Sequence, residues 1–269
     1  VFDVGQLYDR RRDIHGPLGG QQQGGICTPQ KHPYVVLFTG ESGHTYGYKD
    51  GWDENGVFLY TGEGQAGDMA FVRGNRAIRD HAQDGKDLLL FEALGKRKPV
   101  RYIGTFACAG WEERRGPDKD GNDRKVIVFQ LVKAGEEVPP QAAAEPIQES
   151  LEALRQRAYQ AAQLTASSSD KECRRRYYKR AEDVRVYVLA RANGVCEACG
   201  KAAPFVRSTG VPYLEPHHIR RVSDGGPDDP RWVAAVCPNC HREAHFGKHS
   251  VALNKRLADL IVALEKADS

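Results

Sequence analysis

The sequence predicts an α+β chain with two folded regions joined by helices. Three observations carry this: glycine-punctuated β-type runs before about residue 138, helical apolar spacing beyond it, and two C-x-x-C pairs near the end. With 269 residues, the chain has length for two domains that each bury a core. The expected boundaries are a first domain over 1–138, a helical linker over 139–186 and a second domain over 187–269.

The first region carries Tyr34-Val35-Val36-Leu37-Phe38-Thr39, Gly56-Val57-Phe58-Leu59-Tyr60-Thr61 and the run Lys125 to Val132. Gly, Asp and Asn clusters separate these runs, and Gly116 to Asp123 reads as a hairpin tip. The expectation is a twisted, mostly antiparallel sheet or barrel with one helix around Asn75 to Asp84. Paired prolines in Pro139 to Pro146 mark its end. Ile147, Leu151, Leu154, Ala158 and Ala161 then recur at steps of four and three, one face of a helix. That helix is either a connector packed on its own domains or a short seam for a homodimer.

Ser167-Ser168-Ser169 breaks the first helix, and Asp170 can cap a second that Gly194 ends. Its cations, Lys171, Arg174, Arg175, Arg176, Lys179, Arg180 and Arg185, are read as a phosphate-contacting face, with Arg174, Arg175, Lys179 and Arg180 as the named contacts. The competing reading is a solvated charge run. A last helix from about Ser250 carries Val251, Leu257, Leu260, Ile261 and Leu264 as a core-facing stripe.

Hydrophobic residues make up 40% and charged residues 28%, and no run approaches the roughly eighteen apolar residues of a membrane span. The opening Val1-Phe2-Asp3-Val4-Gly5 lacks the basic-then-apolar order of a signal peptide, so an intracellular, cytoplasmic protein is expected. A net charge of +3 does not by itself identify a nucleic-acid partner. Of seven cysteines, Cys27, Cys108 and Cys173 are scattered, while Cys196, Cys199, Cys237 and Cys240 form the two C-x-x-C knuckles. Four thiolates close a tetrahedral Zn2+ shell with no open position, so this metal would be structural. Two disulfides are the alternative, which a reducing compartment disfavours.

Between the knuckles lies Glu215-Pro216-His217-His218-Ile219, and after the second comes His241-Arg242-Glu243-Ala244-His245. Adjacent strand histidines point to opposite faces, whereas His241 and His245, four apart on a helix, share one. One of His217 and His218 can therefore join His241, and His245 too, on a second metal, leaving the other as a base. The plainer alternative has these histidines capping or packing the knuckles.

These motifs resemble the HNH nuclease family in its zinc-knuckle form, over about Tyr187 to Lys248. The resemblance implies a ββα-metal domain in which His217 and His241 hold a catalytic divalent cation, Mg2+ or Mn2+ or another. His245 would be a further ligand or a phosphate contact, Glu215 would help hold the site, and His218 would deprotonate the attacking water. The family's middle Asn, nine residues before the position of His241, is here Trp232.

Tyr46-Gly47-Tyr48-Lys49-Asp50-Gly51-Trp52-Asp53 and Tyr60-Thr61-Gly62-Glu63-Gly64 gather aromatics, carboxylates and glycines. Such groups can stack on a flipped base and accept from a cytosine amine, or equally be barrel core and hairpin residues. The block resembles the SET- and RING-associated (SRA) domain, and His15 to Ile26 resembles a bacterial opening of that family. The resemblance, over about Asp13 to Val132, implies that Tyr48 and Tyr60 sandwich a flipped 5-methylcytosine while Thr61 and Gly62 line the pocket. Gly51 falls where the family has its second Asp, so Asp50, with Asp53 behind it, is the candidate base reader. Together the two resemblances imply a modification-dependent restriction endonuclease acting on double-stranded DNA that carries 5-methylcytosine, or 5-hydroxymethylcytosine as well. The rivals are an HNH nuclease indifferent to modification and a methylated-DNA reader whose nuclease Trp232 has disabled.

Overall fold

The apolar run Tyr34–Thr39 does not alternate, and the computed structural model gives the reason. Val35 and Leu37 enter one buried cluster while Val36 and Phe38 enter another, so this strand is covered on both faces. The model describes residues 2–40, 50–134, 149–163, 170–219 and 228–267. The Pro139–Pro146 boundary, Ile147, the Ser167–Ser169 break and Tyr48 lie outside the described residues. The chain divides into two units, Val1–Gly135 with Leu164–Tyr177, and Glu136–Gln163 with Tyr178–Ser269.

The first unit is built on strands β1 (Leu7–Tyr8), β2 (Ile26–Cys27), β3 (Tyr34–Thr39), β4 (Gly51–Trp52), β5 (Phe58–Thr61), β6 (Asp87–Ala93), β7 (Val100–Pro117) and β8 (Asp123–Lys133). Their order is β2-β3-β6-β7-β8-β5-β4, with β1 also on β7. Pairing is antiparallel except for β3 with β6, which run parallel from Tyr34↔Asp87 to Thr39↔Glu92. The path ends on β2 and β4, so among the described residues the sheet is open rather than a closed barrel. The hairpin tip falls where the turn residues place it, with Asp118 accepting from the N–H groups of Asp120 and Asn122. Helix α1 is the short Gly16–Leu18 segment and α2 is Arg73–Arg79. The helix expected to run to Asp84 therefore stops at Arg79, and Asp80 to Gly85 continue as turns.

In the second unit, α3 (Leu151–Ala162) starts at Ser150, whose hydroxyl accepts from the Ala153 N–H at 3.2 Å. Its Leu154 and Ala158 are buried against Val184, Tyr187 and Val188 and against Val233, so the unit itself already uses the face proposed as a dimer seam. Helix α4 (Asp170–Ala192) begins within the first unit's residues, continues into the second from Tyr178, and ends as Asn193 and Gly194 take φ +44° and +75°. Strands β9 (Glu215–His218) and β10 (Val233–Val236) pair antiparallel, followed by α5 (Pro238–Phe246) and α6 (Ser250–Ala267). The stripe read on α6 needs correction. Val251 is 84% exposed and Leu260 lies at the surface, whereas Leu253, Leu257, Ile261 and Glu265 face inward. No helix among the described residues is long and apolar enough to cross a membrane.

A carboxylate holds a core position on α6 because it is paired. Arg191 donates to Glu265 Oε1 at 2.6 Å and forks onto Glu197, at 2.9 and 3.0 Å, from inside the first knuckle. The Tyr187 and Tyr159 hydroxyls donate to Glu265 at 3.0 and 2.7 Å. Burial works against the charge of Arg191, but hydrogen bonds and charge from Glu197 and then Glu265 outweigh it and raise its pKa. Removing one partner strands a buried charge. Glu265→Ala is expected to lower the unfolding free energy by about 3–5 kcal/mol in a denaturant titration. A loss below about 1 kcal/mol, the worth of an exposed pair, would show the network to be dispensable.

Candidate active site and metal centres

The β9–β10 hairpin followed by α5 sets the geometry. In the register His217 faces Ala234 and His218 faces Val233. Strand alternation turns His217 inward, 1% exposed, and leaves His218 half-buried on the other side. One turn of α5 separates His241 from His245 and places both beside His217. The three ring centroids lie 4.9–5.2 Å apart, and one nitrogen from each ring falls within 4.8 Å of the others.

The hydrogen bonds show which His241 nitrogen faces this cluster. His241 Nδ1 donates to Glu215 Oε2 at 2.6 Å, and the other Glu215 oxygen accepts from the Tyr213 hydroxyl at 2.9 Å. A neutral imidazole then keeps its lone pair on Nε2, which is buried without a hydrogen-bond partner among the described residues. A buried acceptor with no donor, inside a ring of imidazoles, fits a metal ligand.

His218 Nε2 lies 3.3 Å from Asp228 Oδ1. A proton on Nε2 directed at that carboxylate leaves Nδ1 as the basic atom, the arrangement of an oriented general base. Asp228 is itself buried, and its Oδ2 has no hydrogen-bond partner among the described residues. Sequence reading missed it because it sits among Gly225, Gly226, Pro227 and Pro230, a composition that reads only as a turn. The family's middle Asn corresponds to position 232. Trp232 instead closes the hairpin through its carbonyl, which accepts from the Ile219 N–H at 2.9 Å. Its side chain helps line a cavity of about 500 Å3 with Arg155, Tyr159 and Arg231.

The sulphurs of Cys196, Cys199, Cys237 and Cys240 lie within 4.8 Å of one another, and none is in a disulfide. The Cys237 N–H donates to Cys196 Sγ at 3.2 Å. Burial raises the Cys196 thiol, but N–H donors from Cys237, Cys199 and Ala198 outweigh it and bring its pKa below the ordinary value. Burial, with the neighbouring thiols, pushes Cys240 up. Four sulphurs this close shed their protons together only around a cation, so the donor set fits Zn2+. The other three cysteines, Cys27, Cys108 and Cys173, are buried and belong to the first unit.

In the first unit, Asp50 accepts from the Thr39 hydroxyl and from the Thr61 N–H, both at 2.8 Å. This places its carboxylate directly beside Thr61 and Gly62. A Cβ on Gly62 would stand 2.6 Å from Asn75 Oδ1, so close approach of the buried Asn75 amide demands glycine there. Asp53 is turned elsewhere, with its oxygens accepting from Asn55 and from the Val57 N–H within its own hairpin turn. Tyr60 is 2% exposed and its hydroxyl donates to the Gly25 carbonyl at 2.9 Å. Among the expected phosphate contacts, Arg175 and Lys179 are exposed. Arg174 donates to the Asn55 carbonyl at 2.7 Å, and Arg180 is 4% exposed, so of the four named residues these two are engaged or buried within the protein.

Comparison with known proteins gives two family matches. The ScoMcrA-like SRA domain model matches residues 4–157, and the HNH endonuclease model matches residues 196–247. Over 89 residues the chain is 44% identical to the type IV methyl-directed restriction enzyme EcoKMcrA of Escherichia coli (strain K12). That stretch covers 33% of this chain and 32% of the relative, so the match spans about a third of that protein's length. Among solved structures, the type IV phosphorothioation-dependent restriction endonuclease ScoMcrA aligns at 20% identity and a TM-score of 0.41, over 99% of this chain and 64% of that one. The SUVH5 SRA domain, in its methylated CHH DNA complex, aligns at 22% identity and a TM-score of 0.36, over 54% of this chain and 94% of that one.

Proposed function

The chain belongs to the ScoMcrA-like SRA domain family, and on that premise we propose that it is a cytoplasmic, modification-dependent DNA endonuclease. It flips 5-methylcytosine, or 5-hydroxymethylcytosine, into its first unit and hydrolyses nearby phosphodiesters with its HNH domain. The observation that carries this reading is the ββα element that gathers His217, His241 and His245 on one side of β9 and sets His218 against Asp228 on the other.

In this mechanism His217, His241 and His245 hold the catalytic cation. A divalent cation bound there supplies Lewis-acid stabilisation of the phosphate oxygens and of the leaving 3′ oxygen. His218 takes the proton of the attacking water on Nδ1, and Asp228 keeps Nε2 protonated and stabilises the charge the ring acquires. Glu215 holds His241 with Nε2 toward the cation. Three imidazoles are poor donors to hard Mg2+, so a transition ion such as Mn2+ is the better fit. In the reader, Tyr48 and Tyr60 stack on the flipped base, Thr61 and Gly62 line the pocket, and Asp50 reads the Watson–Crick edge. Arg175 and Lys179 contact phosphate, and their contribution falls with salt. Any homodimer must form on surfaces other than the Leu154 and Ala158 face of α3.

Cleavage of methylated and unmethylated duplexes with Mn2+ present tests the reading. Equal cutting of both would indicate a nuclease indifferent to modification, and selective binding without cutting would indicate a reader alone. For the pocket, Tyr48→Ala is expected to weaken binding of methylated duplex by about 1–3 kcal/mol, the usual worth of one stacked base. Asp50→Ala is expected to reduce discrimination between modified cytosine and other bases. Titrating both variants at fixed salt checks this, and full selectivity in the Asp50 variant would exclude it as the base reader. Tyr60→Ala is a poorer probe, because that ring also fills the core.

A further inference from the structure

Asn254 lies on α6, beyond the residues matched by the HNH model. Its Nδ2 donates to the Ala244 and Ser250 carbonyls, both at 3.0 Å. An oxygen in that place would face two carbonyl oxygens, so these contacts fix the orientation of the amide. Its Oδ1 lies 2.7 Å from His217 Nε2. An amide oxygen only accepts, so His217 carries its proton on Nε2, and the lone pair of the neutral ring is on Nδ1.

We propose that Asn254 is a positioning residue that sets the tautomer and ring orientation of His217 and so makes Nδ1 its metal-binding atom. Glu215 does the opposite for His241, holding a proton on Nδ1 and leaving Nε2. The two histidines thus offer different nitrogens to one point, each determined by a separate partner. Asn254 also joins His217 to the C-terminal end of α5 through Ala244, the neighbour of His245, and thereby fixes the spacing between two of the three rings. Partners of this kind typically change metal affinity by about 10–100-fold when removed.

The proposal rests on reading the three histidines as a cation site, and the test separates the two. Mn2+ alone is titrated by calorimetry into the 269-residue chain carrying its structural zinc, as wild type, Asn254→Ala and Asn254→Asp. Asn254→Ala is expected to bind Mn2+ about 10–100-fold more weakly. Asn254→Asp keeps the acceptor and loses the two donors, so it is expected to bind at least as tightly as wild type even where the helix contacts suffer. Equal weakening of both variants, or no weakening in Asn254→Ala, would overturn the role of Asn254. No Mn2+ binding by wild type would instead remove the cation site itself. Nitrogen-15 NMR of the metal-free wild type gives a measurement independent of folding in the variants. A hydrogen-bonded, slowly exchanging Nε2 proton on His217 is expected, and an Nδ1–H tautomer would overturn the proposal.

Discussion

His218→Ala is expected to lower the cleavage rate by at least about 10²–10⁴-fold, the range for loss of a positioned general base, while methylated-DNA affinity stays near wild type. Binding is assigned to the first unit, and His218 sits on β9 of the second, away from the three clustered rings. Asp228→Asn is expected to give a smaller but clear loss, because the neutral amide can offer its N–H to His218 Nε2 and favour the wrong tautomer. Single-turnover cleavage of a methylated duplex, with affinity measured in parallel, checks both. A His218 variant that still cuts at near wild-type rate would mean that another group activates the water.

Cys196→Ser or Cys240→Ala is expected to unfold the second unit's knuckle region and abolish nuclease activity. A small domain draws much of its folding free energy from such a zinc site, about 10–16 kcal/mol of apparent binding in finger peptides. The cluster around the knuckles, Ala198, Leu214, Ile219 and Ala234 to Val236, is built mostly from small side chains and cannot replace that contribution. Metal analysis should find zinc that survives mild chelation, and circular dichroism should report loss of α5 in the variants. A zinc-free preparation that remains folded and active would sink the assignment.

Much of this site was legible in the sequence because its ligands come in fixed local spacings. C-x-x-C brings two thiols to one turn, adjacent strand histidines part to opposite faces, and a step of four brings His241 over His245. What was not legible depends on contacts between elements distant in sequence. Asn254 reaches His217 across 37 positions, and nothing in the helical pattern of α6 separates it from a solvated polar residue. Asp228 was hidden in turn composition. Glu265 faces the core on a helix whose inward stripe hydropathy drew through Leu260 and Leu264 instead, because only the structure reveals its partner Arg191. Arg180 was likewise read as a phosphate contact although it is buried, since charge alone does not report burial. In the first unit the strand runs located β3 closely, but which strands neighbour one another, and the parallel pairing of β3 with β6, is set by long-range registration.

The carboxylate of Glu265 also bears on where the second unit can be cut free. A fragment starting at Tyr187 would keep Arg191 and Glu197 but lose Tyr159, whose hydroxyl is one of the donors on Glu265, and Arg155, 3.6 Å away. It would also uncover Val188 and Val233 by removing Leu154 and Ala158. A stable fragment of the second unit is therefore expected to begin upstream of Ser150, and limited proteolysis should leave α3 attached to it. The segment that reads in the sequence as a tether is, in its first helix, part of the second unit's core.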